Sequence, residues 1–307
     1  MNKPPALKKG DTVQIVAPAG PVNEDAVHLM KQYLMHLGLD VQLGRHIFGK
    51  DGFLAGSDAQ RLEDLQQAIT NPDVKAIFCA RGGYGSARLL PYLDITPLIS
   101  QPKIFWGYSD ITYLHIIMNQ HARMISFHGP MTDGYGTMDV HPHSLSSLQQ
   151  LFFPTPILFY AKQDEYPSFS HTVRAPIVGG NVTVLVSTLG TPYEIDTTGR
   201  ILMLEDIDEA PYAIDRMLNQ LRLAGKLQNC AGIILADFHD CEPKKGKESL
   251  SLTRIVYDHI VPNQVPILAG FPIGHCRPNY AIPIGGYAVM NGTERTLLLE
   301  PGIVSTY

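Results

Sequence analysis

The first half of the chain alternates short apolar runs with segments that have helical spacing of their apolar residues. Three runs, "TVQIVAP" (12–18), "VKAIFCA" (74–80) and "KIFWGY" (103–108), have the continuous apolar character of strands in a parallel sheet. The segments at 23–38 and 57–70 lie between runs and are rich in helix-forming residues. Strands that alternate with helices predict an α/β fold with a doubly wound, Rossmann-like parallel sheet.

The loops that follow these strands are the places to look for function. Right-handed crossovers place such loops along one edge of the sheet, and open α/β sheets bind ligands at that carboxyl edge. The second run leads into the Gly-rich segment "ARGGYGSARLL" (80–90), and the third leads into Ser109. We therefore expect these two loops to lie close together.

Residues 173–307 have a different character and predict a smaller, mixed α/β domain. Short β-like runs there surround two predicted helices. The runs are "RILMLE" (200–205), "AGIILADF" (231–238) and "RTLLLEPG" (295–302), and the helices cover 211–224 and 249–260. Since a chain of 307 residues is at the size where one core usually splits, we expect two domains. The predicted boundaries are 1–150, a linker at 151–172, and 173–307.

Composition excludes several partners and compartments. A net charge of −5 gives no broad basic face, so neither nucleic acid nor an anionic membrane is expected as a main partner. No apolar run approaches the roughly 20 residues of a membrane span, and the N-terminal run is too short for a signal peptide. The four cysteines form no C-x-x-C pair, which favours a reduced, cytoplasmic protein without zinc.

Ser109 follows a predicted strand and precedes a predicted helix, in the order Gly-Tyr-Ser-Asp. Such a serine is usually a helix N-cap. On a sharp strand-to-helix turn it could instead be a nucleophile, with the N–H groups of the helix start behind it. The hydrolase pattern G-x-S-x-G is incomplete here, because Ile111 occupies the position of the second glycine. The stretch alone leaves both alternatives open.

The Gly-rich segment 80–90 also has two interpretations. Its glycines at 82, 83 and 85 allow a close backbone approach and can present N–H donors to an anion. Arg81 or Arg88 could assist such a cradle. The segment lacks the spacing of a dinucleotide fingerprint and the Gly-Lys-Ser/Thr ending of a phosphate loop. The alternative is a plain tight turn between a strand and a helix.

An acidic run, "LEDIDEAPY" (204–212), follows a predicted strand. Asp208 and Glu209 precede Pro211, a good first helical residue, which predicts that they cap the next helix. Glu205 and Asp206 lie further back, where a carboxylate can point into a cleft. No His-rich motif stands beside the run, so a metal site is not favoured.

One histidine has the sequence context of a general base. His275 stands in "AGFPIGHCRPNYAIPIGG" (269–286), a loop constrained by proline and glycine that could fix its ring. A base for Ser109 must be held within hydrogen-bond reach and oriented by a third group. Ser109, His275 and Glu205 are then one possible triad among several.

Taken together, these segments resemble the LD-carboxypeptidases, the muramoyltetrapeptide carboxypeptidase family of serine peptidases. The match runs nearly end to end through seven motifs in order. They are "IVAPAGPV", "ARGGYGSARLL", "WGYSDIT", "FHGPM", "VGGNVTVLVSTLGTPYEID", "LMLEDIDEAPYAIDRMLNQL" and "FPIGHCRPNYAIPIG". The resemblance implies Ser109 as nucleophile, His275 as general base and acid, and Glu205 as the orienting carboxylate. It also implies an oxyanion hole made by the backbone N–H groups of Gly83 and Asp110.

The same resemblance implies a substrate and a setting. The substrate would be murein tetrapeptide, cleaved at the L,D-bond that releases the terminal D-alanine during cell-wall recycling in the cytoplasm. No metal or organic cofactor is implied, and members are often homodimers. A carboxypeptidase must also hold the terminal carboxylate, for which Arg81 is a candidate; the alternative for Arg81 is a surface salt bridge.

Two rival functions remain at this point. A sister branch with a similar triad, the microcin-type immunity peptidases, cleaves aminoacyl-nucleotide conjugates and stacks the nucleobase on a tryptophan in an extra loop. The one tryptophan here, Trp106, is in the strand before Ser109 instead. The other rival is a non-catalytic protein that binds an anion with the Gly-rich turn.

Overall fold

A computed structural model describes residues 1–132, 141–162 and 165–305, and it divides the chain into two compact units. The N-terminal unit comprises Met1–Thr155, Tyr280–Gly285 and Pro301–Tyr307. The C-terminal unit comprises Pro156–Asn279 and Gly286–Glu300. A strand from late in the sequence therefore belongs to the N-terminal unit.

The N-terminal unit is built on a six-stranded sheet. Its strands are β1 (Thr12–Val16), β2 (Asp40–Leu43), β3 (Val74–Cys79), β4 (Ile104–Gly107), β5 (Ser126–His128) and β11 (Ile282–Ile284). Their order is β11-β5-β4-β3-β1-β2; strands β1 to β5 are parallel to one another, and β11 pairs antiparallel with β5. The predicted parallel sheet is confirmed, and β11 is an edge strand that the sequence pattern did not reveal.

Five α-helices accompany this sheet among the described residues. They are α1 (Glu24–His36), α2 (Asp58–Thr70), α3 (Pro97–Ser100), α4 (Thr112–Gln120) and α5 (Pro142–Ser146), with 3₁₀ turns at Ser86–Tyr92, Ser109–Ile111 and Ser147–Leu151. Ser57 starts α2 with a capping box, in which its hydroxyl accepts from the Gln60 N–H and the Gln60 side chain accepts from the Ser57 N–H. The core beneath contains a buried aromatic row, Phe78, Trp106 and Phe127.

The C-terminal unit has a seven-stranded mixed sheet. Its strands are β6 (Ile157–Tyr160), β7 (Thr172–Asn181), β8 (Ile201–Ile207), β9 (Gly232–His239), β10 (Ile267–Ala269), β12 (Tyr287–Asn291) and β13 (Thr296–Leu299). In the order β10-β9-β8-β7-β12-β13-β6, the first four are parallel and the rest antiparallel. Its helices are α6 (Val182–Thr188), α7 (Pro211–Leu223) and α8 (Leu252–His259), with a 3₁₀ turn at Val261–Asn263. The mixed α/β class is confirmed.

Each sheet places one group of candidate residues at the carboxyl end of parallel strands. In the N-terminal unit, neighbouring strands β3 and β4 end just before the Gly-rich segment and just before Ser109. In the C-terminal unit, β8 carries Glu205 near its end, and the chain after β10 carries His275. This is the edge where parallel sheets bind ligands.

None of the helices in the described ranges has the length and apolar character needed to cross a membrane.

Candidate active site

Ser109 lies on a sharp turn between β4 and α4 and has a left-handed backbone, with φ +63°. For a residue with a Cβ this conformation costs on the order of 1 kcal/mol or more. The interpretation of Ser109 as a helix cap is wrong, because the residue before α4 is Ile111 and neither it nor Tyr108 makes a side-chain cap bond. The turn instead raises a partly exposed hydroxyl at the end of the strand, as in the strained turn that carries hydrolase nucleophiles.

The residues around this turn explain why the second glycine of the hydrolase pattern is not needed. A Cβ at Gly107 would lie 3.0 Å from the Cβ of Cys79 and 3.0 Å from a methyl carbon of Ile111. Ile111 is fully buried and fills the space that the missing Gly107 side chain leaves. Of the two glycines in the hydrolase pattern, the turn thus requires only the first, Gly107, which lies two residues before Ser109.

The Gly-rich segment packs directly against Ser109. A Cβ at Gly82 would lie 2.8 Å from the Ser109 Cβ and 3.0 Å from its Oγ, so no larger residue fits there. The Gly82 carbonyl accepts the N–H of Gly20 at 2.9 Å, and Gly83 has φ +99°. Gly20 was not predicted as part of the site. It ends the "APAG" turn after β1, and the glycine in this turn was the signal that could have identified it.

Two backbone N–H groups come next in the chain after these packed residues, that of Gly83 after Gly82 and that of Asp110 after Ser109. Gly83 is exposed, and the N–H of Asp110 lies 3.3 Å from the Cβ position of Gly82. Within the described part of the chain, neither the Gly83 N–H nor the Asp110 N–H has a hydrogen-bond partner. Donors left in this way beside a raised hydroxyl can bind a negative charge.

Arg81 is half-buried and its Nη1 donates to the Pro21 carbonyl at 2.6 Å. Across residues 1–132, 141–162 and 165–305 it makes no ion pair, so the surface salt bridge considered for it is not formed there. Its role as a ligand for a substrate carboxylate stays a prediction.

In the C-terminal unit, His275 and Glu205 form a close pair. The Nδ1 of His275 lies 2.7 Å from the Oε2 of Glu205. The Glu205 side chain is completely buried, and only 9% of the His275 side chain is exposed. A hydrogen bond at Nδ1 fixes the orientation of the ring and therefore the position of its second nitrogen, Nε2.

Two local features allow this contact. The pairing of β8 with β9 shifts register between Leu204 and Asp206, and such irregularities re-aim side chains next to functional sites. Gly274, at φ +117°, lets the loop approach so closely that a Cβ there would lie 2.8 Å from Glu205 Oε2. The N–H of Gly274 donates to the buried Asn279 Oδ1 at 3.0 Å, which ties down the loop.

Asp206 belongs to a different environment, because successive residues of a strand face opposite sides. Its carboxylate accepts from the Asn181 amide at 2.8 Å and from both the N–H and the hydroxyl of Thr183 at 2.9 Å. It therefore organises the start of α6. Glu205 alone of the two contacts His275.

The expectation that Asp208 and Glu209 cap the following helix is wrong. Helix α7 begins at Pro211 behind Ala210, which makes no side-chain cap bond. Asp208 has a left-handed backbone at φ +56°, and Glu209 faces the Thr183 hydroxyl at 3.4 Å. In the described ranges no cluster of three or more His, Cys, Asp or Glu side chains is arranged to hold a metal ion.

The electrostatics of the pair favour a protonated imidazole. Burial on its own lowers the pKa of His275, but the charge and hydrogen bond of Glu205, with Asp206 and Asp237, outweigh it, so the pKa is raised above its ordinary value. The pKa of Glu205 is also raised, because the effect of its burial is larger than the opposing effect of His275. An imidazole with a raised pKa is a stronger base for a serine proton.

A cavity of about 410 Å³ lies in the same unit, next to the loop that carries His275. Its walls mix both signs of charge with aromatic rings, among them Lys162, Arg277, Asp237, Glu242 and Phe271. This lining suits a charged peptide better than an apolar ligand.

The comparison with protein families decides the identity. Residues 13–129 match the LD-carboxypeptidase N-terminal domain, and residues 174–290 match the LD-carboxypeptidase C-terminal domain. The chain belongs to the LD-carboxypeptidase family. It is a hydrolase of the serine peptidase class, as the sequence motifs predicted.

Individual relatives agree with this assignment. This LD-carboxypeptidase is 46% identical over 98% of its length to a Bacillus subtilis protein named "Probable murein peptide carboxypeptidase", covering 95% of that protein. It also matches the crystal structure of muramoyltetrapeptide carboxypeptidase from Oxalobacter formigenes, with a TM-score of 0.85 and 28% identity over 96% of this chain and all of that one. The microcin C7 self-immunity protein MccF in complex with aspartyl sulfamoyl adenosine shares the fold, with a TM-score of 0.86, 21% identity and 98% coverage of each chain.

Proposed function

We propose that this enzyme is a serine LD-carboxypeptidase that releases the terminal D-alanine of murein tetrapeptide by a Ser109–His275–Glu205 triad. The observation that carries the proposal is the Ser109 turn, where a hydroxyl on a left-handed residue stands beside two N–H groups without partners in the described residues. The His275–Glu205 pair supplies the matching base and its orienting carboxylate. The names of the Bacillus and Oxalobacter relatives support murein tetrapeptide as the substrate.

In the acylation half, His275 Nε2 takes the proton of Ser109 Oγ while Oγ attacks the carbonyl carbon of the L,D-bond. The carbonyl oxygen becomes an oxyanion that accepts from the N–H groups of Gly83 and Asp110, each worth on the order of 3 kcal/mol in comparable sites. Glu205 holds the imidazole in the required tautomer and stabilises the imidazolium. His275 then protonates the leaving nitrogen, the C–N bond breaks, and D-alanine departs as a free amine.

In the deacylation half, a water molecule replaces D-alanine. His275 removes its proton as the water oxygen attacks the acyl-Ser109 ester, and the same two N–H groups bind the second oxyanion. The ester bond breaks, Ser109 Oγ takes the proton back from His275, and the tripeptide leaves with a new carboxyl group. We propose that Arg81 holds the carboxylate of D-alanine before the first step.

Two alternatives carry less support. Trp106 is fully buried and its indole N–H donates to the Pro130 carbonyl, so it cannot stack on a nucleobase as the microcin-type reaction requires of its tryptophan. The likeness to MccF extends to the fold alone. A non-catalytic anion-binding protein would have no use for a buried histidine–glutamate pair, which is costly to desolvate.

The test is incubation with defined tetrapeptides of L,D and D,D linkage at the terminal residue, with D-alanine release measured by mass spectrometry. Wild-type enzyme should release D-alanine from the L,D peptide only. Ser109→Ala should lower this rate by about a thousandfold or more, and an unchanged rate in that variant contradicts the proposal. The cytoplasmic location and the homodimer stay predictions, the latter to be checked by light scattering of the purified chain.

A further inference from the structure

The carboxylate of Asp110 points at the Gly-rich segment. Asp110 is 3% exposed, and its Oδ2 accepts the N–H of Ser86 at 2.9 Å. Burial raises the pKa of this carboxyl, and the backbone N–H groups of Ser86 and Gly85 act against that rise. In return, the Ser86 hydroxyl donates to the Asp110 carbonyl at 2.7 Å. The residue that follows the nucleophile is therefore bonded through both its side chain and its backbone to the loop that carries Gly83.

Arg61 holds the same loop from the opposite side. Its side chain is completely buried, and Nη1 donates to the Gly85 carbonyl at 2.9 Å and to the Pro18 carbonyl at 2.5 Å. A Cβ at Gly85 would lie 2.8 Å from that nitrogen, so the glycine is needed for the contact. Asp58, which Arg88 also binds, anchors the other end of the guanidinium.

These contacts leave little freedom at Gly83. The carbonyl of Gly85 accepts from Arg61 and the N–H of Ser86 donates to the Asp110 carboxylate, so both sides of the peptide bond that follows Gly85 are held, close to Gly83 in the chain. On the other side, the Gly82 carbonyl is held by Gly20. Arg61 and Asp110 also carry charges of opposite sign. Their attraction offsets part of the free-energy cost of burying the Asp110 carboxylate near a developing oxyanion.

We propose that Asp110 and Arg61 are positioning residues that hold the Gly83 and Asp110 N–H groups at the spacing an oxyanion requires. This inference rests on the proposed function. Donors of an oxyanion hole act in the transition state and only when they are preorganised, and a displacement of about 1 Å can lower a rate by a factor of about 100. Removing the contacts that Asp110 or Arg61 makes to the Gly-rich segment must therefore lower kcat far more than it weakens substrate binding.

The experiment compares wild type with Asp110→Asn in the full chain. We expect kcat for D-alanine release to fall by about tenfold or more with KM changed less than twofold. The affinity for a peptide boronic acid, which forms a tetrahedral adduct with a serine, should fall by the same factor. The affinity of intact tetrapeptide, measured in a Ser109→Ala background, should not change when Asp110→Asn is added.

Asp64→Asn is the matched control. Asp64 is also 3% exposed and accepts a backbone N–H, that of His46 at 2.9 Å, but within the described ranges it makes no hydrogen bond or ion pair to the Gly-rich segment. Its kcat should match wild type even if its Tm falls as much as that of Asp110→Asn. If Asp110→Asn does not fold, Ser86→Ala decides, since it removes only the 2.7 Å bond and should lower kcat about threefold.

A kcat within twofold of wild type in the folded variant overturns the inference, as does an equal loss of kcat in the control. So does a loss of tetrapeptide affinity as large as the loss in kcat/KM. None of these results contradicts the proposed function. That proposal fails separately, if wild type releases no D-alanine or if Ser109→Ala retains activity.

Discussion

Glu205 Oε2 and His275 Nδ1 lie 2.7 Å apart, and the carboxylate is completely buried. Since the imidazolium gains the attraction of a full negative charge, the pKa of His275 is raised despite the burial that lowers it. A general base works when it is neutral, so kcat/KM should rise with pH to a plateau with its midpoint above about 6.5. A pH–rate profile with defined tetrapeptide checks this; a flat profile, or a midpoint below 6.5, would contradict it.

Replacing Glu205 by glutamine should lower kcat by about 100-fold to 10,000-fold, because the neutral amide no longer enforces the tautomer or stabilises the imidazolium. The pH midpoint should also shift down relative to wild type. Asp215→Asn is the control, since Asp215 also lies 2.7 Å from a histidine, the Nε2 of His259 in the same unit. Equal losses of kcat in the two variants would remove Glu205 from the mechanism.

Gly274→Ala should nearly abolish activity with a modest loss of stability. The new Cβ would press on Glu205 Oε2 at 2.8 Å, and φ +117° is unfavourable for any L side chain. Gly199→Ala, at φ +65° with nothing within 4 Å of its Cβ position, separates backbone strain from the clash. Kinetics and thermal melts of both variants are the measurement; a fully active Gly274→Ala would show that the close approach is dispensable.

Lys103 should make stability depend on alkaline pH. Its ammonium is buried and donates to the carbonyls of Ala68 and Asn71 at the end of α2, and burial lowers its pKa to about 8. The unfolded chain then binds more protons than the folded one between about pH 8 and 10, so folding gains from rising pH. The free energy of unfolding of wild type minus that of Lys103→Met should increase over this range. A constant difference would contradict the prediction.

The sequence predicted the features that depend on local pattern. Apolar periodicity located β1, β3 and β4, and the helix-forming residues at 57–70 located α2. Prediction from the sequence failed where a structural feature depends on contacts between residues that are far apart in the chain. No local signal at 282–284 says that this strand pairs with β5, and none at 107–111 says that Ile111 packs against Gly107 or that Ser109 takes a left-handed backbone.

In the candidate site, too, residues that belong to a local motif were predicted, whereas roles that depend on distant contacts were not. Family motifs singled out Ser109, Glu205 and His275, yet the roles of Asp206 and Asp208 depended on a strand register and a helix start that motifs do not encode. Arg61 and the carboxylate of Asp110 were missed because their contacts to the Gly-rich segment are made to backbone groups, which are the same in every sequence.

Trp106 is the sole tryptophan of the chain and is fully buried in β4, three positions before Ser109. Intrinsic indole fluorescence therefore reports on the unfolding of the N-terminal unit, in which Trp106 is buried. Far-ultraviolet circular dichroism, in contrast, records helices and strands of both units. Coincident denaturation curves from the two probes would mean that both units unfold as one cooperative block, and separated curves would give each its own free energy of unfolding.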